Sequence, residues 1–403
     1  MTFFKNKPAV RNAVLLGTLC SVSYLAVYLA RNVLSAVSPQ MTQSGNFTNE
    51  QIGLLSSVYF VTYAVGQLIN GIIGDKLKAK YMLSLGLLFA GISSLIFTLF
   101  SGSWTVAYAA YGACGFSLSM IYGPMTKVVA ENTEPNYAVR CSLGYTFASF
   151  FGSPLAGILA AAFVWQTVFH ISSVVLFFMS ATCFVVFSLF EKKGIVKYHQ
   201  FDKPKGKGGG IKLLIEHQII KFTLISIITG VVRTTVVFWL PTYISQYLGF
   251  PPDTASLIFT ASTLVISTTT FIAVFVYERL GRNMDLTILL AFALAAISFL
   301  LVYLLKAPAL NIIFIVLAIM SSNSAATMLW SRYCPSLIDT GMVSSATGFL
   351  DFVSYMAASI SSTLFANAVT GIGWGGLILI WFGLMVIGLI VALPYKHKPH
   401  HTI

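Results

Sequence analysis

Charge is what this sequence has least of. Only 9% of its 403 residues are Asp, Glu, Lys or Arg, where a soluble globular domain carries about a quarter. An ordinary soluble protein is therefore excluded. Acids are rarer than bases, 12 against 24, and the formal net charge is +12. Cysteine is sparse and odd in number (Cys20, Cys114, Cys141, Cys183, Cys334). All five lie in or beside apolar segments, with no spacing suited to a disulfide framework or a metal site, and they read as small core residues. There is no nucleophile elbow, no His/Glu zinc spacing and no glycine-rich nucleotide loop. An enzyme is the least supported class, and no cofactor or metal is expected. The histidines of the tail, His397, His400 and His401, read as solvated.

What is present is apolar length. Hydrophobic residues make up 57% of the chain, in recurring runs of about 20, each enough to cross a bilayer. A β-barrel would show short alternating segments instead, so the expected class is an all-α, multi-pass membrane protein. The first run lacks a small-residue cleavage site and is too long for a signal segment. Twelve spans are expected, at roughly 13–37, 51–74, 81–100, 104–130, 141–163, 167–190, 218–247, 253–277, 285–305, 309–330, 341–367 and 373–394. Thr48-Asn49-Glu50-Gln51 has the form of a capping box opening span 2. Asn46-Phe47-Thr48 fits a glycosylation sequon, a triplet common by chance.

Outside the spans, basic residues fall in the terminal segments and alternate loops, Lys306 being the exception. The positive-inside rule then puts both termini in the cytoplasm and explains the net charge without nucleic acid. Seven lysines between Glu191 and Lys212 mark a flexible connector. The short loops and tails suggest a bacterial inner (plasma) membrane, and the carrier is expected to work as a monomer.

The chain reads as two halves. Arg31 and Arg233 are 202 positions apart; Asp75 and Glu278 are 203 apart, each followed by a base, Lys76 and Arg279. The shared offset predicts a duplicated six-span unit: 1–190 as one bundle, 191–214 as a basic cytoplasmic linker and 215–403 as the second bundle. Parallel repeats of this kind place a transporter's site near the midplane.

Arg31 and Arg233 sit deep in spans 1 and 7. Arginine keeps its charge in proteins, so at such depth it faces water or a partner. With no acid near either one in sequence, the expected partner is a mobile anion, the substrate. Tyr24, Tyr28 and Arg31 are spaced i, i+4 and i+7 and share one helix face. Guanidinium forks match the oxygens of phosphate or carboxylate.

Several motifs carry a family resemblance. Gly71-Ile-Ile-Gly74-Asp75-Lys76-Leu77-Lys78-Ala79-Lys80 resembles the loop 2–3 signature of the major facilitator superfamily, and Glu278-Arg279-Leu280-Gly281-Arg282 resembles its second copy. This implies two six-helix bundles and a gating role for Asp75, Lys76, Glu278, Arg279 and Arg282. Arg233 with Trp239, Pro241, Thr242 and Tyr243 resembles span 7 of the organophosphate:phosphate antiporters. Tyr24, Tyr28, Arg31 and Asn32 resemble that family's span 1, and Ser57–Gly66 its span 2. Tyr122-Gly123-Pro124 with Lys127 resembles its span 4, and Ala346–Leu350 its span 11. The resemblance implies phosphate binding by Arg31 and Arg233, with Tyr24, Tyr28 and Tyr243 adding hydrogen bonds or lining the cavity.

This chain departs from that pattern at three places. Gln67 stands where the family has a basic residue, Ala148 where its glycerol-phosphate carriers have a histidine, and Phe238 where they have an acid. Asp351 is the one acid well inside a span. Its readings are a polar residue hydrogen-bonded across helices, with Ser354 and Tyr355 on hand locally, a proton-carrying site, or a counter-ion selecting substrate charge. The leading expectation is a secondary transporter exchanging a phosphorylated metabolite for inorganic phosphate. The alternatives are a proton-coupled symporter of sugar acids or other carboxylates using Asp351, a multidrug efflux carrier, and a non-transporting sensor of the same fold.

Overall fold

The computed structural model describes residues 7–198, 215, 217–337 and 343–394. The linker from 199 to 214 and the tail from 395 lie outside the described residues. Helices account for the spans, and no strand occurs among the described residues. Nine helices there are long and apolar enough to cross a bilayer, the last running through Ala346–Ala392. That last helix holds spans 11 and 12, interrupted at Gly373 with φ 73°. Two further spans are each built from shorter helices. Span 4 is Trp104–Leu118 and Tyr122–Asn132; span 5 is Pro135–Phe150 and Gly152–Ala162. Twelve crossings result.

Spans 1, 2, 3 and 6 are continuous, at Lys7–Gln43, Asn49–Lys76, Ala79–Leu99 and Trp165–Lys192. Span 2 opens on the expected capping box: Gln51 N donates to Thr48 Oγ1 at 3.2 Å, and Thr48 N donates to Gln51 Oε1 at 2.9 Å. Span 7 runs Ile219–Gly230, a π-helical turn Val231–Val236, then Val237–Gln246. Span 8 is Pro252–Ser267 and Thr269–Arg279, and span 9 is Met284–Leu304. Span 10 runs Pro308–Met328, a second π turn Leu329–Tyr333, and Cys334–Ser336. Large apolar side chains such as Phe178, Phe271, Ile297 and Leu364 point outward, more than half exposed. In a bilayer that is the stable arrangement, because lipid rewards no burial of apolar surface and only the backbone must be satisfied internally.

Two compact units form. Unit 1 is Met1–Lys205, Phe238–Ser267 and Ala358–Gly371; unit 2 is Gly206–Val237, Thr268–Ala357 and Ile372–Ile403. Their bounds cut span 7 just after its π turn and span 8 at its interruption. Within unit 1, small polar side chains tie residues 238–267 and 358–371 to spans 1 and 2. Ser35 Oγ donates to Phe238 O at 2.7 Å, and the Ser38 and Thr242 hydroxyls lie 2.6 Å apart. Asn49 and Gln246 exchange reciprocal amide hydrogen bonds of 3.0 and 3.1 Å. Ser57 pairs with Thr363 at 2.6 Å, while Ser359 Oγ donates to Ser57 O at 2.8 Å. Each interhelical hydrogen bond of this kind contributes about 0.6 kcal/mol on average in a membrane.

Aromatic packing fills one end of unit 1, where Phe97 lies 4.8 Å from Phe169 and 5.3 Å from Tyr111, centroid to centroid. In unit 2, Ser226 Oγ donates to Leu350 O at 2.8 Å, and Phe222 stacks on Tyr333 at 3.5 Å. Tyr333 Oη in turn donates to His217 O at 3.0 Å.

Candidate substrate-binding site

Unit 1 presents Arg31 on the face expected from its spacing with the two tyrosines. The rings of Tyr24 and Tyr28 meet edge to face at 4.9 Å. Tyr24 is buried at 8% exposure against Tyr122 and Tyr145, whereas Tyr28 and Arg31 are half-buried. The Arg31 guanidinium carbon lies 5.5 Å from the Tyr28 ring centroid, 5.7 Å from Phe60 and 5.3 Å from Tyr63. Aromatic faces attract a cation by about 0.5–2 kcal/mol each, more as water is excluded. Phe60 and Tyr63 come from span 2. Their spacing with Tyr59 (i+1, i+4) in the quoted span 2 motif was the available signal, and sequence reasoning did not turn it into site residues.

Unit 2 presents Arg233 from the middle of the π turn in span 7. The Val237 N–H there reaches back to Val232 O, five residues earlier. Such turns recur at functional sites because the extra residue re-aims side chains and loosens the helical ladder. The guanidinium carbon of Arg233 lies 5.9 Å from the Trp330 ring and 6.0 Å from Tyr355. Trp330 is itself in the π turn of span 10.

No acid lies near Arg233 along span 7, but the fold brings one beside it: its Nη2 is 3.9 Å from Asp351 Oδ1. The partner comes from span 11, far away in sequence. Ser354, one of the residues on hand locally beside Asp351, packs against Gly230. A Cβ at position 230 would stand 3.0 Å from both Ser354 Cβ and Ser354 O, so only glycine lets spans 7 and 11 approach this closely. Arg233 and Asp351 are both partly open, with 34% and 27% of their side chains exposed. At 3.9 Å the pair is longer than a charge-assisted hydrogen bond, about 2.7–2.9 Å. Nη2 is buried and donates no hydrogen bond among the described residues.

A family profile for the Major Facilitator Superfamily matches residues 20–362. The chain belongs to the Major Facilitator Superfamily. It is thus a multi-pass membrane transporter rather than an enzyme, with that superfamily's twelve-helix, two-bundle fold. It is similar to a phosphoglycerate transporter protein of Salmonella typhimurium strain LT2, with 23% identity over 94% of this chain and 87% of the relative. A membrane sensor protein, UhpC, of the same organism is 30% identical over 21% of this chain, and the match spans only a fifth of the sensor. Among solved structures, a bacterial homolog of the human lysosomal transporter Spinster, inward-facing and unoccupied, superimposes with a TM-score of 0.77. The identity is 11%, covering 96% of this chain and 97% of that one; at that identity the likeness shows the fold.

The other expected residues of this superfamily member are placed as follows. Gln67 is half-buried on span 2, one turn beyond Tyr63. Tyr243 belongs to unit 1, is fully buried and stacks on Tyr247 at 5.2 Å, so it offers no surface to a ligand in this conformation. Glu278, Arg279 and Arg282 are exposed at the end of span 8. The chain turns there through Gly281 and Arg282, at φ 67° and 60°, closed by Arg282 N to Tyr277 O at 2.9 Å. Arg279 lies 5.2 Å from the Phe275 ring, and Arg332 of span 10 lies 4.8 Å from Tyr277. Asp75 and Lys76 end the helix of span 2, and their side chains lie outside the described residues.

Lys78 and Lys80 of the same signature both pair with Glu191 at the end of span 6. Lys78 Nζ also lies 5.3 Å from the Tyr198 ring. Burial pushes the Tyr198 hydroxyl up to about 12, so near neutral pH Lys78 meets a neutral ring face rather than a phenolate.

Proposed function

We propose that this transporter carries a small organic anion, a phosphorylated metabolite, in exchange for inorganic phosphate by alternating access. Arg31 and Arg233 bind the anionic head, and Tyr24, Tyr28 and Gln67 shape its surroundings. The observation that supports this best is the Arg233 guanidinium. It is partly open, its nearest counter-ion stands beyond hydrogen-bond distance, and its buried Nη2 donates no hydrogen bond among the described residues. A fork with a donor to spare suits an incoming phosphate oxygen. Asp75, Lys76, Glu278, Arg279 and Arg282 serve the conformational change, in an inner membrane with both termini cytoplasmic.

The test is counterflow. Proteoliposomes loaded with phosphate are expected to take up labelled phosphate well above protein-free vesicles. Well-folded protein without such uptake would reject the phosphate reading.

A second reading draws on the Arg233–Asp351 pair. A carboxylate beside the binding arginine suits a proton-coupled carboxylate carrier in which Asp351 holds the proton. Uptake of a sugar acid driven by a pH gradient, lost in Asp351→Asn, would favour it.

A further inference from the structure

We propose that Asp351 acts as an internal stand-in for the substrate anion, so that the unloaded carrier resets and the protein performs net anion flux in addition to exchange. This rests on the reading of Arg233 as an anion-binding residue. In a carrier whose binding site holds an uncompensated guanidinium, any step that strips water from that charge is opposed by desolvation. Bound anion removes the opposition, which is what makes exchange compulsory: the carrier returns only when loaded.

Here the compensation is built into unit 2. Asp351 Oδ1 stands 3.9 Å from Arg233 Nη2. The ring faces of Trp330 and Tyr355 lie within about 6 Å of the same guanidinium. Spans 7 and 11 are locked in register beside the pair by Ser226 Oγ to Leu350 O at 2.8 Å and by the seat of Gly230 on Ser354. The carboxylate is therefore held next to the guanidinium rather than sampling it.

The pair is also loose enough to give way. It is too long for a hydrogen bond, and the buried Nη2 still has a proton to donate. An arriving anion with closer, bidentate geometry displaces Asp351; when the anion leaves, Asp351 again neutralises Arg233. Asp351 and substrate compete for one cation, so removing the carboxylate strengthens anion binding and strands the empty carrier.

The experiment uses the full chain in proteoliposomes loaded with labelled phosphate, with valinomycin and potassium present so that charge build-up does not limit flux. Efflux is followed into medium with and without external phosphate. Wild-type protein is expected to show net efflux above protein-free vesicles. In Asp351→Asn the ratio of net efflux to exchange is expected to fall at least tenfold, and Asp351→Glu should restore much of it.

An unchanged ratio in Asp351→Asn overturns the proposal, as does wild-type exchange with no net efflux. If wild-type protein moves no phosphate at all, the phosphate reading fails, and the stand-in role is judged by binding alone. Phosphate titrated against detergent-solubilised protein, followed by tryptophan fluorescence, should then bind at least tenfold more tightly to Asp351→Asn than to wild type. Equal, weaker or absent binding overturns the proposal.

Discussion

Arg233→Lys is expected to slow phosphate exchange at least tenfold without reducing the amount of protein in the membrane. The charge survives the substitution, so an effect of this size isolates geometry. Lysine is a compact point charge with rotatable donors, whereas arginine presents a planar fork that meets two oxygens at once. Losing one charge-assisted hydrogen bond costs about 1.5–3 kcal/mol, a factor of roughly ten to a hundred and fifty. A lysine at 233 would also place a more strongly hydrated ammonium among the rings of Trp330 and Tyr355, which surround the flat guanidinium carbon at about 6 Å. Arg31→Lys is expected to behave in the same way, because Tyr28, Phe60 and Tyr63 surround its guanidinium at similar distances. Initial rates of labelled phosphate counterflow, at matched protein per vesicle, decide the matter. Wild-type rates from both lysine variants would remove the arginines from substrate binding.

Much of the fold is written in the sequence because a bilayer constrains it so tightly. Apolar length fixes where a helix crosses, and the start of span 12 and the capping box of span 2 both fall where local chemistry puts them. The interruptions were not legible. Hydropathy averages over a window, and one additional residue in a π turn changes neither the composition nor the length of span 7. That turn has a consequence further along. Ten residues at a period of 3.6 already leave Tyr243 about 80° around the helix from Arg233, and the extra residue rotates everything after it further. Tyr243, expected to line the cavity from its place in the motif, lies fully buried.

The candidate site divides along the same line. The cluster around Arg31 follows from short-range spacing on spans 1 and 2, and Tyr24, Tyr28 and Arg31 do share a face. The pairing of Arg233 with Asp351 joins residues on different spans, and no periodic pattern encodes it. A partial signal was present: Asp351 and Tyr355 are spaced i, i+4, and both approach Arg233. An ionisable residue in a span is costly without a partner. The scarcity of buried acids therefore makes Arg233 and Asp351 natural candidates for each other, even before their distance is known.

Gly152→Ala is expected to disturb the other arginine from behind. Gly152 begins the second helix of span 5 and seats directly on the backbone of span 1 at Tyr28. A Cβ there would collide with Tyr28 Cβ and stand 2.6 Å from its carbonyl carbon and 2.9 Å from its carbonyl oxygen. None of these atoms is the end of a flexible side chain, so no rotamer change relieves the clash and one helix must shift. Overpacking of this kind costs about 1–3 kcal/mol, and the displaced residue is the one whose ring lies 5.5 Å from the Arg31 guanidinium. The variant should therefore lose both thermal stability and exchange rate, and Gly152→Leu should not yield folded protein. Gly383→Ala is the matched control, because a Cβ there meets nothing within 4 Å and alanine favours helix over glycine by about 0.8–1.0 kcal/mol. Melting followed by size-exclusion chromatography, paired with counterflow, separates the two effects. A Gly152→Ala protein that melts and exchanges like wild type would mean that span 5 yields at this seat, and Tyr28 would then owe its position to the tyrosine cluster instead.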